Sequence, residues 1–461
     1  MRKTLVLLIV GLNRRLIGVD TPNLQALMQR GAIRTLGTVV PAVTCTVQST
    51  LLTGLAPSGH GAVANGWYFR SQAEVMLWRQ SNRLIAGEKV WDAAKRRDPR
   101  FTCANMFWWY NMYSTVDISA TPRPMYPADG RKIPDHYAEP PELKAELDAK
   151  LGAFPLFKFW GPMTSIESSR WIARATSHVR QTRSPTLTLC YLPHLDYGLQ
   201  KFGPYPTHPS IAKDLRDVDA LAGELIDEAE GAGDRVLVVS EYGIVAVREA
   251  VHINRELRRA GLMRIKIEMG RELLDAGASK AFALADHQVA HVYLQHGASA
   301  GEVAKLLRGI DGVAQVLDAE SKRAIGLDHP RSGDLVVLAE PDRWFSYYYW
   351  LDDACAPDFA ATVDIHRKPG YDPMELFLDP ALKSPKLRVA RRLAARKLGF
   401  RNLLDVIPIT GTALIKGSHG LITTDEIDAP VVISNDAALL PGGTVSATAF
   451  KDLMLAHVFT P

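Results

Sequence analysis

The sequence predicts an α/β protein: a doubly wound, mostly parallel sheet with helices on both faces, plus an inserted small α+β cap. Three observations predict it. Short apolar runs at Leu5–Val10, Thr186–Leu192 and Arg235–Ser240 lack polar alternation, as strands covered on both faces do. Amphipathic stretches at Thr21–Arg30, Ile211–Glu230 and Ile253–Ala260 lie between or after them, which is a βα alternation. The 461 residues, 47% of them hydrophobic, suffice for a large core and more than one domain.

Taken in order, residues 1–250 and 330–461 read as the α/β core, with residues 110–165 a proline-rich surface excursion within it. Residues 251–329 read as the cap, where His291–Leu294, Gly301–Arg308 and Val313–Leu317 form a strand, a helix and a strand. The aromatic run Trp344–Trp350 reads as packing or, less simply, as a pocket wall. Lys386–Lys397 has helical spacing and reads as a solvated basic face.

Composition excludes several classes. The formal charge is +4 with mixed signs and no basic block, which gives a nucleic-acid groove nothing to build on. The N-terminal apolar run is too short to span a bilayer and is read as a first strand, not as a signal peptide or membrane segment. Cys45, Cys103, Cys190 and Cys355 are scattered without a CxxC pair, so reduced thiols and a cytoplasmic location are expected. The oligomeric state is not legible.

In a doubly wound sheet the ligand site lies at the carboxyl ends of the strands. There the chain places five polar turns. The first is VVPAVTCTVQSTLLTG, Val39–Gly54. Pro41 suits a strand-to-loop transition, and the periodicity from Val47 predicts a helix starting near Thr46. Thr44 then sits at a helix N-terminus, where N–H groups and the dipole favour an anion, or merely caps the helix. The second turn carries His194 and Asp196 after an apolar strand, and the third carries Glu241 in VLVVSEYGI. The fourth, VDIHRKPGYDP, carries His366, and the fifth, KGSHGLITTDEIDAP, carries His419. Each histidine alone could be hydrogen-bonded structure; five such turns together suggest a site.

The order of these motifs resembles the type I phosphodiesterase / nucleotide pyrophosphatase family of the alkaline phosphatase superfamily, with phosphonoacetate hydrolase as a relative. The resemblance rests on Pro41–Thr44, Thr53-Gly54, Pro57–Gly61 and Asn65. It continues through Asp196 with Gly203-Pro204, Ser240–Gly243, and Ser418-His419-Gly420. It implies an alkaline phosphatase-like fold, Thr44 as nucleophile and Asn65 as donor to a phosphoryl oxygen. It also implies a divalent metal site, zinc first with manganese or iron also compatible, holding one or two ions. The expected ligands are Asp196, Glu241 and His419. The family's first Asp falls on Val10, its His after the Asp on Gln200, and its Asp-His pair on Glu241-Tyr242. His194 and His366 are therefore expected as replacement ligands, and Gln200 and Tyr242 as substrate contacts.

The function so implied is metal-dependent hydrolysis of a phosphodiester or pyrophosphate in a small phosphate-containing substrate. The alternatives are phosphonate C–P hydrolysis and a non-catalytic binding or scaffold protein that kept the fold.

Overall fold

The computed structural model describes residues 1–400 and 402–461. The main sheet runs in the order Val445–Ser446, Ala32–Gly37, Val431–Ser434, Arg235–Val239, Thr4–Ile9, Leu187–Leu192, Cys103–Met106, Ile118–Pro122, His136–Glu139. From Arg235–Val239 to Ile118–Pro122 the strands are parallel. Val431–Ser434 and His136–Glu139 pair antiparallel with their neighbours. Thr4–Ile9 is central, with Leu5 opposite Thr188 on one side and Val236 on the other. All six of its residues are buried, as are all of Leu187–Leu192. Side chains on both sides of each strand are therefore covered, which is why these runs show no polar alternation.

The helix Pro209–Gly231 shows how sequence builds the cover. Pro209 starts it without wasting a donor, and the His208 side chain accepts from the Ser210 N–H. Ile211, Leu215, Val218, Ala222, Leu225, Ile226 and Ala229 form its buried stripe. It packs against Pro22–Arg30 and Ile166–Arg183, while Phe450–Phe459 packs on Thr44–Thr53.

A second, four-stranded sheet spans Ala281–Ala339 in the order Ala281–Asp286, Val289–Leu294, Leu335–Ala339, Val313–Leu317. Its last strand in sequence, Leu335–Ala339, lies past residue 329. This sheet has its own core, which includes Trp344, Phe345, Tyr347 and Trp350, so the aromatic run packs. Within residues 110–165 the chain contributes His136–Glu139 to the edge of the main sheet and the helix Pro141–Leu151. Pro385–Lys397 is helical, and its exposed residues include Leu387 and Leu393 beside the bases. Among the described residues, no helix is long and apolar enough to cross a membrane.

Candidate active site

The carboxyl ends of Thr4–Ile9, Leu187–Leu192 and Arg235–Val239 lie side by side. They deliver Val10-Gly11, the Pro193–Asp196 turn and Ser240–Tyr242 to one place. The helix facing them runs over Thr44–Thr53, two residues earlier than the periodicity predicts, so Thr44 is its first residue. The periodicity missed this because the whole helix is buried and has almost no polar face.

Burial also explains the hydroxyls. Ser49, Thr50 and Thr53 turn back to the carbonyls of Cys45, Thr46 and Ser49, one helical turn earlier. Thr50 also bonds His60 Nε2 at 2.9 Å, and His60 Nδ1 accepts from the Ala62 N–H. The histidine of the Pro57–Gly61 motif is thus a brace, and burial pulls its pKa down to about 3.

Thr44 does neither. Its Oγ1 lies 3.2 Å from the Tyr242 hydroxyl, which donates to Asp196 Oδ1 at 3.3 Å. Gln200 Nε2 donates to Asp196 Oδ2 at 2.7 Å, and Gln200 Oε1 accepts from the Tyr371 hydroxyl. His419 Nε2 is 3.8 Å from Asp196 Oδ1. Its Nδ1 is 2.8 Å from the Ala42 carbonyl, which can only accept, so Nδ1 carries the proton and Nε2 presents a lone pair. The Tyr242 ring stacks on His419 at 3.6 Å. Glu241 Oε1 accepts from Gln48 Nε2, and its buried Oε2 has no hydrogen-bond partner among the described residues.

Asn65 bridges two elements. Its Oδ1 accepts from the Cys45 N–H, holding the helix start, and its N–H and Nδ2 both donate to Asp286. Asp286 and His287 come from the turn between Ala281–Asp286 and Val289–Leu294. His287 is stacked between Tyr371 and His419 at 3.7 and 3.6 Å. Sequence reading missed Gln48, Asp286, His287 and Tyr371. The second sheet brings Asp286 and His287 in from far along the chain, and only the ADHQ turn, two charged-type residues between apolar strands, hinted at them.

Electrostatically the pocket is one-sided. Burial pushes Asp196 and Asp286 up to about 7 and Glu241 well above its ordinary range. Burial pulls His419 down to about 3 and His287 well below its usual value. Among the described residues, Asp196 and Asp286 pair with the histidines His419 and His287 and with no lysine or arginine.

Two expected residues lie elsewhere. His194 Nε2 points to Asp214 on the neighbouring helix at 3.0 Å. It sits two residues before Asp196 on a helix, where i and i+2 diverge, so its ring leaves the pocket. His366 is exposed, with Nδ1 facing the Leu77 carbonyl at 3.4 Å. Nearby Asp372 is bound to Lys368 instead. Neither histidine contacts Thr44, Asp196, Glu241 or His419 among the described residues. Two groups of ionisable side chains do come within ligand spacing there, Asp135–His136–Asp148 and His194–Asp214–Asp217, and neither contains those four.

A mostly parallel sheet with a threonine-headed helix and an Asp/Glu/His pocket at its carboxyl edge defines an alkaline phosphatase-like fold. Solved structures agree. Phosphonoacetate hydrolase from Sinorhizobium meliloti 1021, in complex with phosphonoacetate, aligns with TM-score 0.63 at 15% identity, covering 99% of this chain and 96% of that one. Murine ectonucleotide pyrophosphatase / phosphodiesterase 5 aligns with TM-score 0.58 at 16% identity, covering 99% and 95%. No curated protein matches the sequence. Residues 4–372 match the type I phosphodiesterase / nucleotide pyrophosphatase family, and the chain belongs to that family. It is accordingly a phosphodiesterase/nucleotide pyrophosphatase-like hydrolase.

Proposed function

We propose that the chain hydrolyses a phosphodiester or pyrophosphate bond of a small substrate, with Thr44 as nucleophile. The observation that carries this reading is the line Thr44–Tyr242–Asp196, at 3.2 and 3.3 Å, at the start of a buried helix. The Thr44 oxygen attacks phosphorus, forming a Thr–O–P bond as the P–O bond to the leaving group breaks. The Thr44 proton passes to the Tyr242 oxygen as the Tyr242 proton passes to the Asp196 carboxylate, which returns it when the leaving group or the Thr44 oxygen is reprotonated. Water then cleaves the phosphothreonine and regenerates the hydroxyl. Asn65 holds the helix start, and its remaining amide N–H is available to a phosphoryl oxygen. The second sheet acts as a cap through Asp286 and His287.

The donor set fits one divalent ion and not two. Asp196 and the unprotonated Nε2 of His419 face each other across a gap suited to one cation, and the Nδ1 bond to a carbonyl is the usual support of a ligating histidine. A second ion would need the place of Val10, which is apolar. It would also need the space that the Tyr242 hydroxyl fills between Thr44 and Asp196, which leaves the unpartnered Oε2 of Glu241 as its one carboxylate oxygen. Zinc suits the Asp196–His419 pair best, with manganese or iron compatible. When bound, such an ion supplies Lewis-acid polarisation of a phosphoryl oxygen. Gln200 and Tyr242, both bonded to Asp196, are the substrate contacts of this reading.

The test is turnover of bis-p-nitrophenyl phosphate and of phosphonoacetate by wild type and Thr44→Ala. We expect diester hydrolysis that falls at least about 10³-fold in Thr44→Ala. Diester turnover unchanged in the variant would overturn the nucleophile. Turnover of phosphonoacetate alone would move the chain to the C–P reading suggested by its likeness to the Sinorhizobium protein.

A further inference from the structure

We propose a second metal site, separate from the Thr44 pocket, formed by Asp135, His136 and Asp148 at the edge of the main sheet. It takes a borderline divalent ion such as Zn²⁺. His136 begins the edge strand His136–Glu139, Asp135 precedes it, and Asp148 lies in the following helix, Pro141–Leu151. The strand is four places from Thr4–Ile9 in the sheet.

His136 is 1% exposed, yet neither ring nitrogen has a hydrogen-bond partner among the described residues. A buried imidazole left so is costly, and buried polar groups are nearly always satisfied. Nδ1 points between two carboxylates, 3.7 Å from Asp148 Oδ1 and 4.0 Å from Asp135 Oδ1. Those gaps are too long for hydrogen bonds and are what ligands of one cation look like before they close on it. Asp148 Oδ1 is itself buried and unpartnered. The ring is held in place by an edge contact with Trp171 at 4.9 Å. Burial lowers the His136 pKa, the direction a ligating imidazole needs.

The site also has an entrance. A surface cavity of about 660 Å³ is lined by Arg123, Tyr126, Asp135, His136 and Lys144 among others. Water entering from this cavity beside Asp135 and His136 would complete the coordination. One imidazole, two carboxylates and water make a four-ligand zinc set. Lys144 now supplies the positive charge, at 2.8 Å from Asp135 Oδ1 and 2.7 Å from Asp148 Oδ2. It contacts the outer oxygen of Asp148 and leaves the inner one to the histidine side. A bound ion would compete with it for Asp135. Its effect would be to clamp the edge strand to the helix behind it, protecting an edge that otherwise invites pairing.

The test uses the full chain carrying His419→Gln, which removes the ion proposed at the Thr44 pocket. Zn²⁺ binding to metal-stripped protein is measured by competition with a chromogenic chelator. We expect one equivalent in His419→Gln, and none when either His136→Gln or the half-exposed Asp148→Asn is added. Adding Lys144→Met instead should tighten zinc binding at least about tenfold, because a competing cation is gone. Circular dichroism melts confirm that each variant is folded. The proposal falls if His419→Gln binds no zinc even with Lys144→Met. It also falls if the equivalent survives both His136→Gln and Asp148→Asn.

Discussion

Two buried carboxylate clusters sit within a few side chains of each other and solve the same problem in opposite ways. In one, Lys368 lies 2.8 Å from Asp372 and 2.7 Å from Glu375, with all three side chains at most 2% exposed. Trp160 and the Asp364 N–H complete the bonding of Glu375. In the other, Asp196, Glu241 and Asp286 receive amide and hydroxyl donors and the neighbouring imidazoles of His419 and His287, but no lysine or arginine among the described residues. The first cluster shares one buried ammonium of the chain between two carboxyls and is structural. The second resists ionising until something from outside balances it, and that difference marks the functional pocket better than any single residue type. Tyr371 joins the two, bonded to Gln200 and stacked on His287.

The largest expected effect breaks the balanced cluster. Lys368→Met strands two buried carboxyls and should cost about 3–5 kcal/mol in chemical denaturation. Asp196→Asn, made in chelator, removes an unbalanced charge and keeps an acceptor oxygen for Tyr242. It should unfold within about 1 kcal/mol of wild type. Equal losses in both variants would mean that the two clusters do the same job.

The second effect sharpens the role of the unbalanced pocket. Tyr242→Phe keeps the ring stacked on His419 but removes the oxygen between Thr44 and Asp196. Diester kcat should fall about 10²-fold, the usual scale for a lost proton-transfer group, with KM changed far less. If KM rose while kcat held, Tyr242 would be a substrate contact only.

Much of this contrast was legible in the chain, but unevenly. The central strands announced themselves as apolar runs, because burial on both faces leaves a simple pattern. Thr44, Asp196, Glu241 and His419 were singled out because each lies just after a strand or in the first turn of a helix, and the structure brings Thr44, Asp196 and His419 together around Tyr242. His194 and His366 were expected in the pocket for the same reason and are not there. Two residues of helix turn His194 toward Asp214, and a surface turn leaves His366 at the Leu77 carbonyl. Proximity to a strand end does not specify direction. The converse failure is Asp286 and His287, which reach the pocket from a different sheet. Nor could the sequence separate Asp372, paired with Lys368, from Asp196, which lacks such a partner: that depends on which side chain faces which.

The smallest effect tests the unbalanced charge through pH. Asp286 has an ordinary carboxyl pKa near 3.8 when unfolded and about 7 when folded, raised chiefly by burial. Below about pH 4 both states hold the proton, and the folded protein has its full stability. Between about pH 4 and 7 the unfolded carboxyl ionises while the folded one keeps its proton, so stability falls as pH rises. Above about pH 7 both are ionised and the loss levels off. In chelator the melting temperature should therefore drop by a few degrees from pH 5 to pH 8. Asp286→Ala should lower the melting temperature overall, because Asn65 loses its partner, yet flatten this slope. The slope is the readout, since a purely structural loss shifts the whole curve. A slope identical in wild type and variant would mean that Asp286 is charged at every pH tested, and that a cation inside the chain already balances it.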